Sequence, residues 1–335
     1  MSSPNPSNAN LPRSRAGKPD RFQRFTASRS VNPRLDRADH ALLALVERYR
    51  LMDSEQMHAA LGADSPRRTF LYRLQRLFHA EYLTRPPSQL NRWWTRGEPT
   101  KHYVYGLGPQ GYAALHPDDA GAESTAVLRL RDQRIGASYI EHRLKLTTAL
   151  LCFEQAAAGE ALTFDWSEGD AMRRTTGLPR YVKIATDRST IELPLNPDAY
   201  LTIRDPDQPR PAHFFLEVDN GTEPIERQGR RRWQRTSIHR KFAAYHELAP
   251  RKGDTEADKP RRSPFPFRLL TITTTPARMN SMRALARSLD PKGRGSRLFL
   301  LTTDDRVQLA SPGDVLTKPI WWTPNDDDQP LALID

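Results

Sequence analysis

Cysteine is almost missing from this 335-residue chain, which carries one, Cys152. A single thiol excludes an intrachain disulfide or a cysteine zinc cluster. Its place between Leu151 and Phe153, in an apolar helical pattern, reads as a small core residue rather than a reactive group. There is also no long uninterrupted apolar run, so no membrane-spanning helix and no membrane partner are expected. The opening residues, Met1 to Asn10, lack the apolar centre of a signal peptide, and the expected location is cytoplasmic. Acid is scarce near the start: Asp20 alone stands against Arg13, Arg15, Lys18, Arg21, Arg24, Arg29 and Arg34. That segment is poor in aliphatic residues and reads as a disordered basic arm over 1–34.

What is abundant is positive charge, with 51 Lys and Arg against 40 Asp and Glu and a formal net charge of +11. Such an excess suits a polyanion, because Lys and Arg displace counterions from phosphates. The length fits two folded units. After Pro33, Leu42, Leu45, Val46 and Tyr49 recur at helical spacing and predict a helix over 35–51. Asp53 and Ser54 can cap a short second helix, which Gly62 can end in a left-handed turn. Ser65 as cap and Pro66 at the first helical position open a third helix with Leu71, Leu74, Leu77 and Phe78 inward and Arg67, Arg68, Arg73 and Arg76 on the other face.

Two strand-like runs follow, over 81–85 and 102–107, joined by a connection holding Arg92, Trp93, Trp94, Arg96 and Lys101. Three helices and a hairpin predict a winged helix-turn-helix over 35–117. Its third helix would enter the major groove of double-stranded DNA, and its basic wing would lie on the backbone or in the minor groove. A solvated arginine face is the plainer alternative, and Trp93 and Trp94 suit packing as well as base stacking.

A linker over 118–137 leads to a second unit over 138–310. A helix from residue 138 to 158 is followed by strands over 162–166, 199–203 and 214–218, a helix over 237–248, a strand over 269–274, a helix over 277–289 and a strand over 298–302. This order predicts an α/β (α+β) unit, a mixed sheet flanked by helices. Residues 311–335, with Asp326, Asp327 and Asp328, read as a solvated tail. On the strand over 214–218 side chains alternate, so Glu217 and the following Asp219 point the same way, and Asp198 on a neighbouring strand can sit beside them. Three carboxylates there would repel one another. Magnesium or manganese would relieve that and could activate water at a phosphodiester, although a strand-ending turn with capping acids accounts for the same residues.

The Pro-Asp, then Glu-x-acid, then helix layout resembles the restriction-endonuclease-like fold, whose metal site is Pro-Asp followed by Asp/Glu-x-Lys. Pro197-Asp198-Ala199-Tyr200, the Leu-Glu-Val-Asp-x-Gly-Thr-Glu run from Leu216 to Glu223, and Lys241 with Tyr245 are more closely similar to the replication-relaxation family of plasmids and integrative elements. The resemblance implies Asp198 and Glu217 as metal-binding acids, holding Mg2+ or Mn2+, and Glu141 as an acid on the first helix of that unit. It also implies a catalytic lysine at 219, where this chain has Asp219; Lys241 could reach back in its place. His142 and His239 read as structural or exposed. The loop with Arg230, Arg231 and Arg232 suits a polyanion or plain solvent.

The implied function is a DNA-binding protein of a mobile genetic element, acting in replication or transfer. The rivals are a transcriptional regulator with a dead nuclease-like dimerisation domain and an active metal-dependent endonuclease. Implied partners are double-stranded DNA and either a second copy of the chain or other replication and transfer proteins.

Overall fold

The computed structural model describes residues 27, 33–62, 65–89, 102–119, 135–186, 189–229, 231–251, 262–290, 296–325 and 329–334. The chain divides into two units, Met1–Ala137 and Ser138–Asp335. Nearly all of the basic arm, most of the linker and Asp326 to Asp328 lie outside the described residues, as do Arg92, Trp93, Trp94, Arg96, Lys101 and Arg230.

The first unit opens with α1 (Arg37–Tyr49), capped reciprocally by Asp36 and Asp39. Asp36 accepts from the Asp39 N–H at 2.7 Å, and Asp39 accepts from the Asp36 N–H at 3.1 Å. Leu42, Leu43, Val46 and Tyr49 are buried, so the apolar stripe runs through Leu43 rather than the half-buried Leu45. Arg50 adopts a left-handed φ of 65° and ends the helix. A short strand then intervenes, β1 (Leu51–Asp53), where the sequence suggested more helix.

Asp53 caps α2 (Ser54–Met57), as expected, and Gln56 is its reciprocal partner. A π-type turn, His58–Gly62, follows. Gly62 is there for space and not for a left-handed turn: a Cβ would lie 2.7 Å from the His58 ring and 2.9 Å from Phe70. The third helix, α3 (Arg67–His79), begins after Pro66 with no side-chain cap, so Ser65 does not cap it.

β2 (Leu83–Thr84) and β3 (Val104–Leu107) pair antiparallel, with β1 on the far side of β3. Arg85 is buried beneath them, its guanidinium 4.1 Å from the ring centres of Phe78 and Tyr103 and donating to the Tyr105 hydroxyl at 2.9 Å. α4 (Pro109–Leu115) closes the unit. The Gly-Pro-Gln-Gly run before it is a close-approach device, since a Cβ on Gly108 would meet the Glu81 carbonyl oxygen at 2.2 Å and one on Gly111 the Tyr82 oxygen at 2.3 Å.

The second unit is a mixed sheet flanked by helices. α5 (Ala137–Gly159) is apolar on nearly all sides, with Cys152 buried and its thiol pushed up to about 12 by desolvation. The sheet order is β10-β9-β8-β7-β4, from β4 (Thr163–Ser167), β7 (Ala199–Arg204), β8 (Ala212–Val218), β9 (Arg268–Thr273) and β10 (Phe299–Thr303). The β4, β7 and β8 neighbours run antiparallel, and β8, β9 and β10 parallel. Between β4 and β7 lie elements that the sequence pattern did not predict: α6 (Gly169–Thr176) and a hairpin of β5 (Tyr181–Ala185) with β6 (Thr190–Pro194). The short α7 (Arg231–Gln234) precedes α8 (Ile238–Leu248), which packs on that hairpin and, with α9 (Pro276–Ser288), over Phe215, Leu269 and Phe299.

The end of the chain is not a solvated tail. α10 (Asp314–Thr317) buries Val315 and Leu316, and Trp321 is fully buried with its indole N–H donating to the Val315 carbonyl at 2.9 Å. Trp322 exchanges two backbone hydrogen bonds with Leu301 of β10, both 2.8 Å. The burial of these large apolar side chains outweighs the nearby acidic run that suggested exposure.

Candidate functional site

β7 and β8 pair with Ala199 opposite Leu216, which sets Asp198, at the head of β7, beside Glu217 of β8. The two carboxylates are then held by different helices. Asp198 accepts from the Val218 N–H at 2.8 Å through Oδ2 and meets His142 Nε2 of α5 at 3.1 Å through Oδ1. Glu217 turns to α8, accepting from the Tyr245 hydroxyl at 2.5 Å through Oε1 and from Lys241 Nζ at 3.2 Å through Oε2. Lys241 and Tyr245 are one helical turn apart and so share a face. Lys241 Nζ also lies 3.4 Å from Glu223, in the loop after β8.

Asp219 has a separate partner. Its Oδ2 accepts from the Thr273 hydroxyl at 2.6 Å and from Arg278 Nε at 2.5 Å, and its Oδ1 accepts from a second Arg278 nitrogen at 2.8 Å. The same guanidinium donates to the Glu223 carbonyl at 2.5 Å. Arg278 stands in the first turn of α9, capped by Thr275.

These partners set the protonation of the acids. Burial pushes the Glu217 carboxyl up to about 7, with Lys241 pulling it down and the Asp198 charge pushing it further up. Burial also raises Asp219, but the Arg278 fork and the Thr273 hydroxyl outweigh it and hold that carboxyl below its usual range. His142 loses basicity to burial and regains more from Asp198, so it ends above the ordinary imidazole value. Lys241 is held well above its ordinary value, chiefly by Glu217.

The fold therefore brings Asp198, Glu217 and Lys241 into one neighbourhood, while the third expected member, Asp219, is clamped by a guanidinium. From α5 it is His142, the neighbour of Glu141, that reaches Asp198, although no spacing in the sequence assigns it that role. Arg278 and Thr273 carry no local motif; only the parallel pairing of β9 with β8 brings them to Asp219.

A magnesium or manganese ion needs oxygen atoms with free lone pairs directed at one point. Here Asp198 and Glu217 each have two partners, Lys241 stands against Glu217 where the sequence expected a lysine, and Asp219 is taken up by Arg278, so Asp198 and Glu217 are the carboxylates left as candidate ligands. Among the described residues no group of three or more His, Cys, Asp or Glu side chains is placed to hold a metal ion.

On α3, three of the four expected DNA-contacting arginines have an acidic partner within the unit, two of them on the same buried acid. Asp39, fully buried, accepts from Arg73 at 2.9 Å and from Arg76 at 2.6 Å, and Arg73 also reaches Asp36 at 2.8 Å. That contact helps to hold the Asp36 carboxyl down at about 2. Arg67 pairs with Glu55 and Arg68 is exposed. Leu71, expected inside, is 39% exposed, and Phe70 is buried in its place. In the second unit Arg232 pairs with Glu226 at 3.0 Å and lies beside the buried His239; the side chain of Arg231 lies outside the described residues.

The replication-relaxation family model matches residues 43–260. The chain belongs to the replication-relaxation family. The match runs from α1 through α8 and so includes Asp198, Glu217, Lys241 and Tyr245, but it ends before β9 and Arg278. No curated protein and no solved structure matches the chain. As in the sequence, no helix among the described residues is long and apolar enough to cross a membrane.

Proposed function

We propose that this replication-relaxation protein binds duplex DNA through its first unit, as part of the replication or transfer of a mobile genetic element, and that its second unit is a nuclease-like body that does not cleave. The observation that carries the reading is α3. Its order with α1, α2 and the β2–β3 pair is that of a winged helix, and its first turn presents Arg67 and the exposed Arg68 at the positive end of the helix dipole, where phosphates bind. In support of the second part, the unit has a helix, three antiparallel strands interrupted by α6 and the β5–β6 hairpin, then a helix and a parallel strand, the order expected of the nuclease-like fold. Supporting the non-cleaving reading, position 219 carries an acid clamped by Arg278 where the active members of that fold are expected to carry lysine.

Fluorescence anisotropy with a labelled duplex at several salt concentrations tests the first part. Arg67→Ala/Arg68→Ala should weaken binding and make its salt dependence shallower by about one unit of log–log slope for each phosphate no longer neutralised; unchanged affinity and slope would refute it. Incubation with supercoiled plasmid tests the second. Nicking that requires Mg2+ or Mn2+ and disappears in Glu217→Gln and Lys241→Ala would replace the non-cleaving reading with the nuclease.

A further inference from the structure

The internal pairing of Arg73 and Arg76 changes what α3 offers to a ligand. The exposed residues of the helix are Arg67, Arg68, Thr69, Leu71, Tyr72 and Gln75, of which Arg68, Leu71, Tyr72 and Gln75 are spaced i, i+3, i+4 and i+7 and hence lie on one stripe. Tyr72 is 70% exposed and Leu71 39%. With Leu61 of the preceding turn, 47% exposed, they make up three of the five large hydrophobic side chains exposed among the described residues. Apolar groups concentrated on one short segment mark a surface that is covered in use. The charged side chains on the same helix point to the partner: Arg67 and Arg68 begin the stripe, and no acidic residue lies on α3.

Resting on the DNA-binding reading above, we propose that this stripe reads A·T base pairs in the major groove. Leu71 and Tyr72 pack on the C5 methyl groups of thymine, Gln75 bonds adenine N6 and N7, and Arg68 holds the adjoining phosphate or guanine. The chemistry follows from the groove. Thymine alone among the four bases presents a methyl group there, apolar side chains are its complement, and a glutamine amide matches the donor–acceptor pair of adenine. A helix whose outward face kept four unpaired arginines would favour phosphate and guanine instead; here Asp39 holds Arg73 and Arg76 off the stripe, and Leu71, Tyr72 and Gln75 occupy it.

The experiment uses the full chain. Duplexes retained from a random-sequence pool are sequenced, and the enriched site is resynthesised with uracil for thymine, which deletes the methyl group and keeps the base pairing. The wild type should bind roughly fourfold more weakly for each packed methyl group that is deleted. Leu71→Ser/Tyr72→Ser, whose changes lie on exposed positions and should leave the melting temperature unchanged, should be weaker on the thymine site and indifferent to uracil.

Retention of no duplex at all would refute DNA binding itself. Binding without enrichment, or an enriched site indifferent to uracil in the wild type, would overturn the proposal while leaving DNA binding intact. So would a uracil penalty that persists in the double variant. If the double variant instead breaks a dimer of the chain and leaves DNA affinity unchanged, the stripe is a self-association face and the proposal falls.

Discussion

Replacing Arg278 by alanine tests why position 219 carries an acid. In the folded chain the Asp219 side chain is 6% exposed and that of Arg278 16%, with two guanidinium nitrogens on the two carboxylate oxygens. Removing one partner of a buried pair leaves the other charge desolvated, which costs about 3–5 kcal/mol. Asp219 would keep the Thr273 hydroxyl and the Gly221 N–H, so the low end, about 3 kcal/mol, is expected. For a unit of this size that lowers the melting temperature by roughly 6–12 °C.

Because the folded-state pKa of Asp219 is depressed, its stabilising contribution is present above the ordinary carboxylate range and is lost as pH falls through the folded value. The gap between wild type and Arg278→Ala should therefore be full at neutral pH and narrow in acid. Adding Asp219→Asn to Arg278→Ala should recover part of the loss at neutral pH, since no uncompensated charge is then buried. The assay is thermal melting of the full chain followed by circular dichroism at neutral and acid pH. A shift for Arg278→Ala of less than about 2 °C at neutral pH, where about 1 kcal/mol corresponds to 2–4 °C, would refute the claim that Asp219 is neutralised by this arginine.

Two further outcomes follow from the buried acids. Asp39→Ala leaves Arg76 without its acid and Arg73 with Asp36 alone, and removes one of the two α1 capping-box bonds; because both arginines are partly exposed, it should destabilise the first unit by about 1–2 kcal/mol; Arg73→Ala/Arg76→Ala should lower stability and change the salt slope of DNA binding less than Arg67→Ala/Arg68→Ala does, and the reverse order would show that these arginines serve the DNA after all. Glu217 binds its proton more tightly folded than unfolded, so the stability it contributes below pH 4.5 is lost as pH rises through about 7. The stability of the wild type relative to Glu217→Gln should fall across that window; a difference that is flat with pH would refute it.

Elements were legible where periodicity and length cooperated. Phe214 to Val218 is apolar on both faces except at Glu217, and that one break marks the site-bearing strand. The period-two alternation of the β5–β6 hairpin was present, with Val182 and Leu193 buried, but it spans only five residues on each side with charged residues between. The pairing of Arg73 and Arg76 was not legible, since Asp39 lies 34 and 37 residues away, and helical spacing cannot tell a solvated arginine from one with a distant acid. The acidic run at Asp326 to Asp328 obscures, in the sequence, the apolar signal of Trp321, which is fully buried, and of the half-buried Trp322.

Glu217 and Asp219 also show why a carboxylate motif alone does not specify chemistry. They are two residues apart and on one strand path, yet one carboxyl is pushed up to about 7 and the other held down. The difference lies in how positive charge is shared. Lys241 contacts both Glu217 and Glu223 and also feels Asp198, so one ammonium is divided among three acids, and burial prevails at Glu217. Arg278 gives a planar fork to Asp219, and charge-assisted bidentate bonding prevails over burial there. A magnesium site requires the opposite distribution, with acids ionised at neutral pH and their oxygens free. At Asp219 a protein cation sits on the carboxylate, whereas at Glu217 burial favours the protonated form.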